Sequence, residues 1–383
     1  MTGAGFAQAL VLGGLAQPEA TRKQVHHQAI QAGLRVSVQG LDQRFTERAG
    51  VFMRELLEAT LKELVQGEGK AVVLPQFNGV YITDCTRLVW GEAGMKLGVR
   101  WEIQRGHLHG CLMDIQQNDQ KADVVEGEMP RGALHLGDLG FFKLKRFQAW
   151  NDEGVFWLTR YKVGTRLYSL DGPLLDLKTL LSGSETVRMP VRVGSGRNAF
   201  VAHLLASPLP EAALSKRLAR LKEQARLDQR STSQRQLELA AWTLYLTNIP
   251  DLSFDQAHIL ARTRWQIELL FKLWKSHAQV LRSRSADPLR QRCEGLAKLI
   301  GVILAHWTLL VADWQHDRLG ALDALRILRT HVPVLQRAFT YASLFADFFQ
   351  WLRLDLAYAP RRAKRRKTPL AFQFWCVFED SYA

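Results

Sequence analysis

Three acidic residues stand at positions from which a single metal site could be assembled. Asp84 ends the predicted strand Val80–Asp84 in the run Tyr-Ile-Thr-Asp-Cys-Thr, and Asp138 follows a short apolar segment in the run Leu-His-Leu-Gly-Asp-Leu-Gly-Phe-Phe. Glu268 lies inside a long predicted helix. A carboxylate that ends a buried strand either caps the next turn or helix or binds a divalent cation. The strand ends alone favour caps, and the long helix supplies the argument for a metal.

The long helix, predicted over about residues 253–280, carries a narrow charged stripe. At about 100° per residue, Arg264, Glu268 and Lys275 lie within about 40° of one another, and Lys272 lies about 80° from the first of them. A separate apolar side is suited to packing on a sheet and consists of Ile267, Leu270, Phe271 and Trp274. The stripe is either a set of exposed ion pairs, or a site in which Glu268 binds a metal while Arg264 and Lys275 bind phosphate.

Charge and composition favour a globular protein with a polyanionic partner. The 383 residues include 51 basic and 37 acidic side chains, for a net charge of +14, and residues 169–383 contribute 31 of the basic and 19 of the acidic ones. Such an excess suits nucleic acid or an anionic membrane surface. The four cysteines show no C-x2-C spacing, which predicts buried thiols in a reducing compartment rather than a zinc or redox site.

The sequence argues against a membrane protein or a secreted one. The longest uncharged apolar stretch, residues 299–312, is fourteen residues long, whereas a membrane span needs about 20. We therefore predict a core helix there. No Lys or Arg precedes Arg22, so the basic region of a secretory signal is missing. We expect a cytoplasmic, nucleoid-associated protein with no membrane partner.

The first 70 residues are predicted to be helical. Helices over residues 24–32 and 37–44, separated by Gly33 and with Ser37 as N-cap, have the spacing of a helix-turn-helix. This pattern indicates either a DNA-binding unit or an ordinary helical hairpin. A longer amphipathic helix over residues 47–65 is predicted to bury one side, made of Val51, Phe52, Leu56, Leu57 and Leu61.

The middle of the chain has a mixed α/β pattern. Three predicted strands, 80–84, 96–103 and 108–115, precede a strand–helix–strand unit at 133–137, 144–151 and 155–161. Residues 169–236 interrupt this pattern with a predicted hairpin, 187–193 and 199–205, and a basic helix, 211–236, which is either solvated or bound to phosphate. The pattern resumes with a strand over 242–247 and the long helix. The C-terminal section is helical and ends in the basic run 361–367.

Three short runs, in this order, resemble a known family. They are Asp84-Cys85-Thr86, the turn over residues 137–142, and Thr247-Asn248-Ile249 before the long helix. The layout resembles the DDE transposases of bacterial insertion sequences, in the branch with the signature Y-x2-R-x3-E-x6-K. Arg264, Glu268 and Lys275 match its last three letters, and Trp265 also fits, whereas Ala261 occupies the tyrosine position. The resemblance extends from about residue 77 to 311.

The resemblance implies an α/β fold, with a ribonuclease-H-like mixed-sheet catalytic core, a β-rich insertion, and helical N-terminal and C-terminal regions. The implied regions are 1–70 for DNA binding, 71–168 and 237–320 for the core, 169–236 for the insertion, and 321–383 for the C-terminal region. Some relatives use a tryptophan on the insertion to stabilise a flipped base. Residues 169–236 contain no tryptophan, and Phe200 is a weak candidate for that role.

The resemblance also implies the chemistry. Asp84, Asp138 and Glu268 would be the catalytic residues and would bind two Mg²⁺ ions, with Mn²⁺ as a substitute. Three close carboxylates repel unless cations neutralise them, and two ions about 3.5–4 Å apart can activate the attacking oxygen and stabilise the leaving one. Water would attack first, and a DNA 3′-hydroxyl second. The residues expected to bind DNA are Arg262, Arg264, Trp265, Lys272 and Lys275.

The implied function is cut-and-paste transposition on double-stranded DNA, at transposon ends and at a target. A hairpin intermediate and a homodimer in the synaptic complex are expectations of the same resemblance. Two alternatives stay open at this point. One is an inactive or domesticated protein that binds transposon ends, and the other is a purely hydrolytic nuclease on the same fold.

Overall fold

The computed structural model describes residues 2–31, 33–63, 65, 74–90, 93–114, 128–196, 199–229, 231–312, 314 and 319–360. They divide into two compact units. The first draws on residues 1–72, 84–127 and 266–369, and the second on residues 73–83 and 128–265. The predicted basic run 361–367 and Cys376 lie outside the described residues.

The elements follow the predicted order. The helices are α1 (Gly3–Ala16), α2 (Arg22–Gln31), α3 (Val38–Asp42), α4 (Glu47–Lys62), α5 (Leu144–Glu153), α6 (Leu177–Leu181), α7 (Glu211–Leu227), α8 (Gln234–Leu239), α9 (Phe254–Thr263), α10 (Trp265–Lys272), α11 (Pro288–Val311), α12 (Ala321–Ala338) and α13 (Leu344–Tyr358). The strands are β1 (Val80–Trp90), β2 (Ala93–Glu102), β3 (Leu108–Asp114), β4 (Leu134–Leu136), β5 (Phe156–Arg160), β6 (Leu167–Tyr168), β7 (Val187–Val193), β8 (Phe200–Pro208) and β9 (Trp242–Thr247).

The strands form one mixed sheet of nine, in the order β3-β2-β1-β4-β5-β9-β8-β7-β6. Strand β4 pairs in parallel with both β1 and β5. The pairs β2/β3, β5/β9, β6/β7, β7/β8 and β8/β9 are antiparallel. A mixed sheet with helical regions before and after it confirms the predicted fold class, and it is consistent with a ribonuclease-H-like core.

In the first unit, helix α11 is the central element and packs against α1 and α4. Among the described helices it is long and apolar enough to cross a membrane, and 67% of the qualifying window is buried inside the protein. The burial agrees with the prediction of a core helix. Helix α1 is buried with it, through residues such as Leu10, Leu12 and Leu15.

Gly295 lets α11 pack closely against strand β1. The indole of Trp90 is 2% exposed, and its Nε1 donates to the Val280 carbonyl at 2.7 Å. A Cβ at position 295 would overlap Nε1 and Cε2 of this indole. The hydrogen bond fixes the ring, so the ring cannot move aside without losing a buried donor's partner.

We therefore expect Gly295→Ala to lower the free energy of unfolding by about 1–3 kcal/mol, the usual cost of overpacking a core. Gly50→Ala, in helix α4, is the matched control because its Cβ would lie 3.7 Å from the nearest atoms, on Arg292. Urea denaturation followed by circular dichroism measures both variants. Equal stability of the two variants would contradict the close packing described here.

Strand β1 is longer than predicted. The predicted strand ends at Asp84, whereas the strand in the structure continues to Trp90. Side chains continue to alternate between the two faces of the sheet beyond Asp84, so β1 can pair with β2 past this residue. The residues that follow are buried and exposed in turn: Thr86, Leu88 and Trp90 against Arg87 and Val89.

Helix α4 buries most of the predicted side, through Leu57 and Leu61, but not Val51. Val51 is 48% exposed, whereas Met53, Leu57 and Leu61 are buried. The helix packs on β3 and α11, and the closest approach is at Gly110, where a Cβ would touch the side chain of Leu61. The contact with β3 thus selects the face.

The helices of the predicted helix-turn-helix are confirmed as α2 and α3. Ser37 caps α3, because its Oγ accepts from the Gly40 amide at 3.0 Å. His26 Nε2 lies 2.8 Å from the Val36 carbonyl oxygen and ties the turn to α2. Helix α3 is only five residues long. Contact with DNA in this region stays a prediction.

In the second unit, the predicted hairpin is confirmed as β7 and β8, and it extends the sheet by pairing with β9. Phe200 is 7% exposed and packs edge-on against Trp157 at a centroid distance of 6.0 Å. Because this ring belongs to the core, Phe200 is wrong as a base-flipping candidate. The division of the chain into five regions stays a prediction.

The predicted basic helix over residues 211–236 is two helices rather than one. Helix α7 ends at Leu227, and Gln229 has a left-handed φ of 51°. Helix α8 then starts with a capping box between Ser233 and Gln236. This local capping competes with a continuous helix, which explains the break.

The cysteine prediction holds for one residue in full. Cys293 is buried, and Cys85 and Cys111 are half-buried free thiols. Burial raises the pKa of the Cys293 thiol to about 12, so this residue is an unreactive part of the core.

Candidate active site

Asp84 lies within strand β1, beyond the residues that pair with β4. Ile82 and Leu136 are partners in the parallel register. Asp84 follows the first of these by two residues, and Asp138 follows the second by two residues. Asp84 is half-buried, and its Oδ1 accepts from the Cys85 amide at 2.7 Å.

Asp138 follows the end of β4 and caps a single 3-10 turn over residues 139–141. It is exposed, and its Oδ1 accepts from the Leu139 amide at 2.6 Å. Phe141, buried at 6% exposure, anchors the turn to the second unit. The cap predicted as an alternative is therefore present. One carboxylate has two oxygens with several lone pairs, so a cap of this kind is compatible with metal binding.

A buried side-chain pair joins β1 and β4 just before the two carboxylates in the sequence. His135 Nε2 lies 3.1 Å from Thr83 Oγ1, and both residues are almost inaccessible. The His135 ring also packs on Trp150 at a centroid distance of 4.5 Å. These contacts fix β1 against β4 next to the predicted ligands. The contact between Thr83 and His135 is not predicted from the sequence, because the two residues are 52 positions apart and no spacing rule connects them.

The Thr247-Asn248-Ile249 run has a structural role that explains its place before the long helix. Asn248 Oδ1 accepts from the Trp157 amide at 2.8 Å, and its Nδ2 donates to the Val155 carbonyl at 2.8 Å. Thr247 Oγ1 donates to the Trp157 carbonyl at 2.7 Å. The run thus locks the end of β9 to β5. Helix α9 then begins with a capping box at Ser253.

The helix predicted over residues 253–280 is interrupted rather than continuous. Helix α9 ends at Thr263, Arg264 follows with helical angles of φ −52° and ψ −29°, and α10 begins at Trp265. Thr263 Oγ1 donates to the Ile259 carbonyl at 3.1 Å, a back-bond that bends helices.

A second irregularity follows α10. Residues Leu273–His277 form a π-turn, in which the Ala278 amide donates to the Leu273 carbonyl at 3.0 Å. A π-turn widens the helix and turns less per residue, so Lys275 lies at a smaller angle around the helix axis than a regular helix predicts.

The apolar side of this segment is confirmed. Ile267, Phe271 and Trp274 are 0%, 7% and 2% exposed. On the charged side, Glu268 and Lys275 are half-buried and Lys272 is exposed. Burial lowers the pKa of Lys275.

Two side-chain donors bind backbone carbonyls at the end of the π-turn and just after it, and neither contact is predicted from the sequence. Arg329 Nη2 donates to the His277 carbonyl at 3.0 Å, and its Nε donates to the Leu15 carbonyl at 3.1 Å. Trp90 Nε1 donates to the Val280 carbonyl. A contact between a side chain and a distant backbone oxygen leaves no periodic signal in the sequence, so only the folded chain reveals it.

The predicted site residues are shared between the two units. Asp84, Glu268, Lys272 and Lys275 belong to the first, and Asp138, Arg262, Arg264 and Trp265 belong to the second. Arg262 and Trp265 are exposed, and Arg264 is half-buried.

The donor set fits a hard cation, because three carboxylates offer only oxygen ligands, which Mg²⁺ and Mn²⁺ prefer. Within the described residues, however, no three His, Cys, Asp or Glu side chains are grouped closely enough to hold one metal ion. The triad therefore stays a prediction, supported by the type of each ligand.

Comparison with known proteins adds independent information. A family model described as the transposase DDE domain matches residues 78–304. The chain is 22% identical over 351 residues to the transposase for insertion sequence element IS231F of Bacillus thuringiensis subsp. israelensis, covering 80% of this chain and 74% of the relative. It is 22% identical to the IS231C transposase of B. thuringiensis subsp. berliner, covering 79% and 73%. It is 24% identical to the IS1151 transposase of Clostridium perfringens, covering 70% and 65%.

Proposed function

Because the chain belongs to the DDE transposase family of insertion sequences, whose members act on DNA and generally use divalent metal ions, we propose that it cuts and joins DNA at the ends of its own mobile element. Asp84, Asp138 and Glu268 are the proposed metal ligands and catalytic residues. One observation carries the assignment of the first two: they follow the paired residues Ile82 and Leu136 by the same number of positions on parallel strands. Neighbouring parallel strands advance in the same direction at nearly the same rise per residue, so residues two positions beyond a paired position are expected to lie near each other.

Two Mg²⁺ ions, or Mn²⁺ in their place, would supply Lewis-acid stabilisation of the attacking and leaving oxygens. The chain's own residues would perform the remaining tasks. Glu268 is held by a helix whose opposite face is buried through Ile267 and Phe271, which restricts the movement of the carboxylate. The hydrogen bond from the Thr263 hydroxyl to the Ile259 carbonyl fixes the last turn of α9, and the cap at Asp138 fixes the 3-10 turn that follows it.

Five residues are proposed to bind the DNA strand near the cut: Arg262, Arg264, Trp265, Lys272 and Lys275. Exposed side chains at Arg262, Trp265 and Lys272 are accessible to a phosphate backbone or a base. An exposed tryptophan, 55% accessible here, is suited to stacking on an unpaired base. Half-buried Lys275 forms a less hydrated cation, which gives a stronger interaction with a phosphate.

The signature branch adds finer expectations. Arg264, Glu268 and Lys275 retain its spacing, which supports a hairpin intermediate, while Ala261 cannot supply the hydrogen bond of the usual tyrosine. Bringing two ends together needs two active sites, so we propose a homodimer in the synaptic complex. The net charge of +14 supports association with the nucleoid in the cytoplasm.

The proposal is tested by removing the metal. Purified protein is incubated with a linear duplex that carries one flanking end of the element, with Mg²⁺, with Mn²⁺, or with EDTA. We expect nicking at the end with either metal and none with EDTA, because the carboxylates cannot activate water by themselves. Joined products are expected when a target duplex is added.

The other outcomes separate the alternatives. Specific binding without cutting in any metal would contradict catalysis and favour an inactive end-binding protein. Cutting without joined products would favour a hydrolytic nuclease. Failure to bind the end at all would overturn the proposed function itself.

A further inference from the structure

One face of the sheet in the second unit carries arginine side chains near a buried tyrosine. Arg160 of β5 and Tyr245 of β9 are partners in the antiparallel register, so their side chains lie on the same face. Tyr245 is 1% exposed, and Arg160 is exposed. Thr243, two residues before the tyrosine, has its side chain on this same face.

Arg217 of α7 reaches the same face. Its Nη2 donates to Thr243 Oγ1 at 3.3 Å, and its Nη1 donates to the Trp242 carbonyl at 2.6 Å and to the Ala240 carbonyl at 3.3 Å. These bonds use part of the guanidinium, which has five N–H donors. They also fix its position, so Arg217 forms the rigid part of the cluster.

Helix α9 supplies the third guanidinium. His258 Nδ1 lies 3.0 Å from the Tyr245 hydroxyl oxygen, which places this helix directly over the tyrosine. Arg262 follows His258 by four residues, one helical turn, and lies on the same side of the helix. Arg262 is exposed. Arginines of three separate elements, β5, α7 and α9, therefore lie on the side of the sheet that holds Tyr245.

The same arginines influence the pKa values of Tyr245 and His258. Burial raises the pKa of Tyr245, and the charges of Arg160, Arg217 and Arg262 all oppose this rise. Burial lowers the pKa of His258, and Arg262 and Arg160 lower it further, against an opposing effect of Asp255. His258 is consequently neutral at pH 7. Arginines do not deprotonate in proteins, so the three guanidinium groups together attract an anion.

We propose that Arg160, Arg217 and Arg262 bind one phosphate of the DNA backbone. The inference rests on the proposed function, which makes DNA the substrate, and extends it to a site outside the carboxylate triad. Planar guanidinium groups match phosphate oxygens through paired hydrogen bonds. Arg217 is held in place by its carbonyl contacts, and the exposed Arg160 and Arg262 close on the phosphate from either side. Such a contact positions the strand without reading its sequence.

The test compares two doubly substituted proteins that lose the same charge. The cluster variant is Arg160→Gln with Arg262→Gln, which spares the structural bonds of Arg217. The matched control is Arg188→Gln with Arg192→Gln on strand β7. Arg188 forms an ion pair with Asp251 at 2.7 Å, and Arg192 lies over the Tyr168 ring at 5.4 Å. Thermal melting by circular dichroism verifies that each variant is folded.

Fluorescence anisotropy measures the Kd for a labelled duplex at several KCl concentrations. Each lost phosphate contact lowers the slope of log Kd against log salt by about 1, so the cluster variant, which loses its hold on one phosphate, is expected to lose about one. We expect its affinity at low salt to fall at least about tenfold, equally for end and non-end duplexes. The control is expected to keep the wild-type slope.

An unchanged slope in the cluster variant, or an equal loss in the control, would overturn the phosphate site. If the wild-type protein neither binds nor cuts DNA, the proposed function fails. If the wild type binds and cuts while the cluster variant keeps its salt slope, the three-arginine site fails together with the proposed DNA contact of Arg262, and the proposed function stands.

Discussion

Replacing Glu268 by Gln is expected to abolish metal-dependent cleavage while leaving DNA binding intact. The substitution keeps the shape of the side chain but removes the charge that a divalent cation needs. A metal ion supplies several kcal/mol of transition-state stabilisation, so the rate should fall about a thousandfold or more. Asp84→Asn and Asp138→Asn should behave in the same way. Single-turnover cleavage of the end duplex in Mg²⁺ measures the effect.

The matched control for this prediction is Glu211→Gln, in the exposed first turn of helix α7. It removes the same charge far from the triad in sequence and should cut at the wild-type rate. Binding of the Glu268→Gln variant should equal or exceed that of the wild type, because a carboxylate without metal repels phosphate. Cleavage above a tenth of the wild-type rate in this variant would remove Glu268 from the proposed ligands.

Replacing Arg290 by Met is expected to cause the largest loss of stability in the first unit. Arg290 is buried, and its Nε donates to Glu294 Oε1 at 2.6 Å while its Nη1 donates to Asp42 Oδ1 at 3.0 Å. Its guanidinium also lies over the Phe45 ring at 5.1 Å. Removing one partner of a buried ion pair costs about 3–5 kcal/mol, because the other charge stays buried without compensation.

Denaturation by urea tests this value, and two further variants make the result specific. Arg54→Met removes an i,i+4 pair with Glu58 at a more accessible position and should cost less than about 1 kcal/mol. Combining Arg290→Met with Glu294→Leu should recover part of the loss, because the stranded carboxylate is removed as well. A double variant less stable than Arg290→Met alone would mean that packing, rather than the stranded charge, sets the cost.

Much of the fold was predictable because local signals and tertiary packing agree. Strand β9 has the predicted limits, since its run of β-branched and aromatic residues fits a buried strand. The capping serine at position 37 and the hairpin around Gly194 were also predicted, because cap and turn residues act over a few positions. The buried side of the Glu268 helix followed from helical periodicity alone.

The errors have a common cause in contacts between distant segments. The extension of β1 past Asp84 depends on pairing with a neighbouring strand, and the choice of buried face on α4 depends on β3. The three-arginine cluster joins residues 160, 217 and 262, which no motif connects. For the triad, the sequence supplies the ligand types, and the resemblance supplies the reason to group them.

The π-turn after α10 means that the number of residues between two positions does not by itself fix the angle between their side chains. A π-turn contains one residue more than the corresponding α-turn, and such turns arise by a single-residue insertion into a regular helix. Deleting one residue from Leu273–His277 would restore the stronger hydrogen-bond geometry but rotate everything beyond it by about 100°. The π-turn therefore combines a locally weaker helix with a different direction for the residues at and beyond Lys275. A family signature written as fixed letter spacing does not record this change of direction.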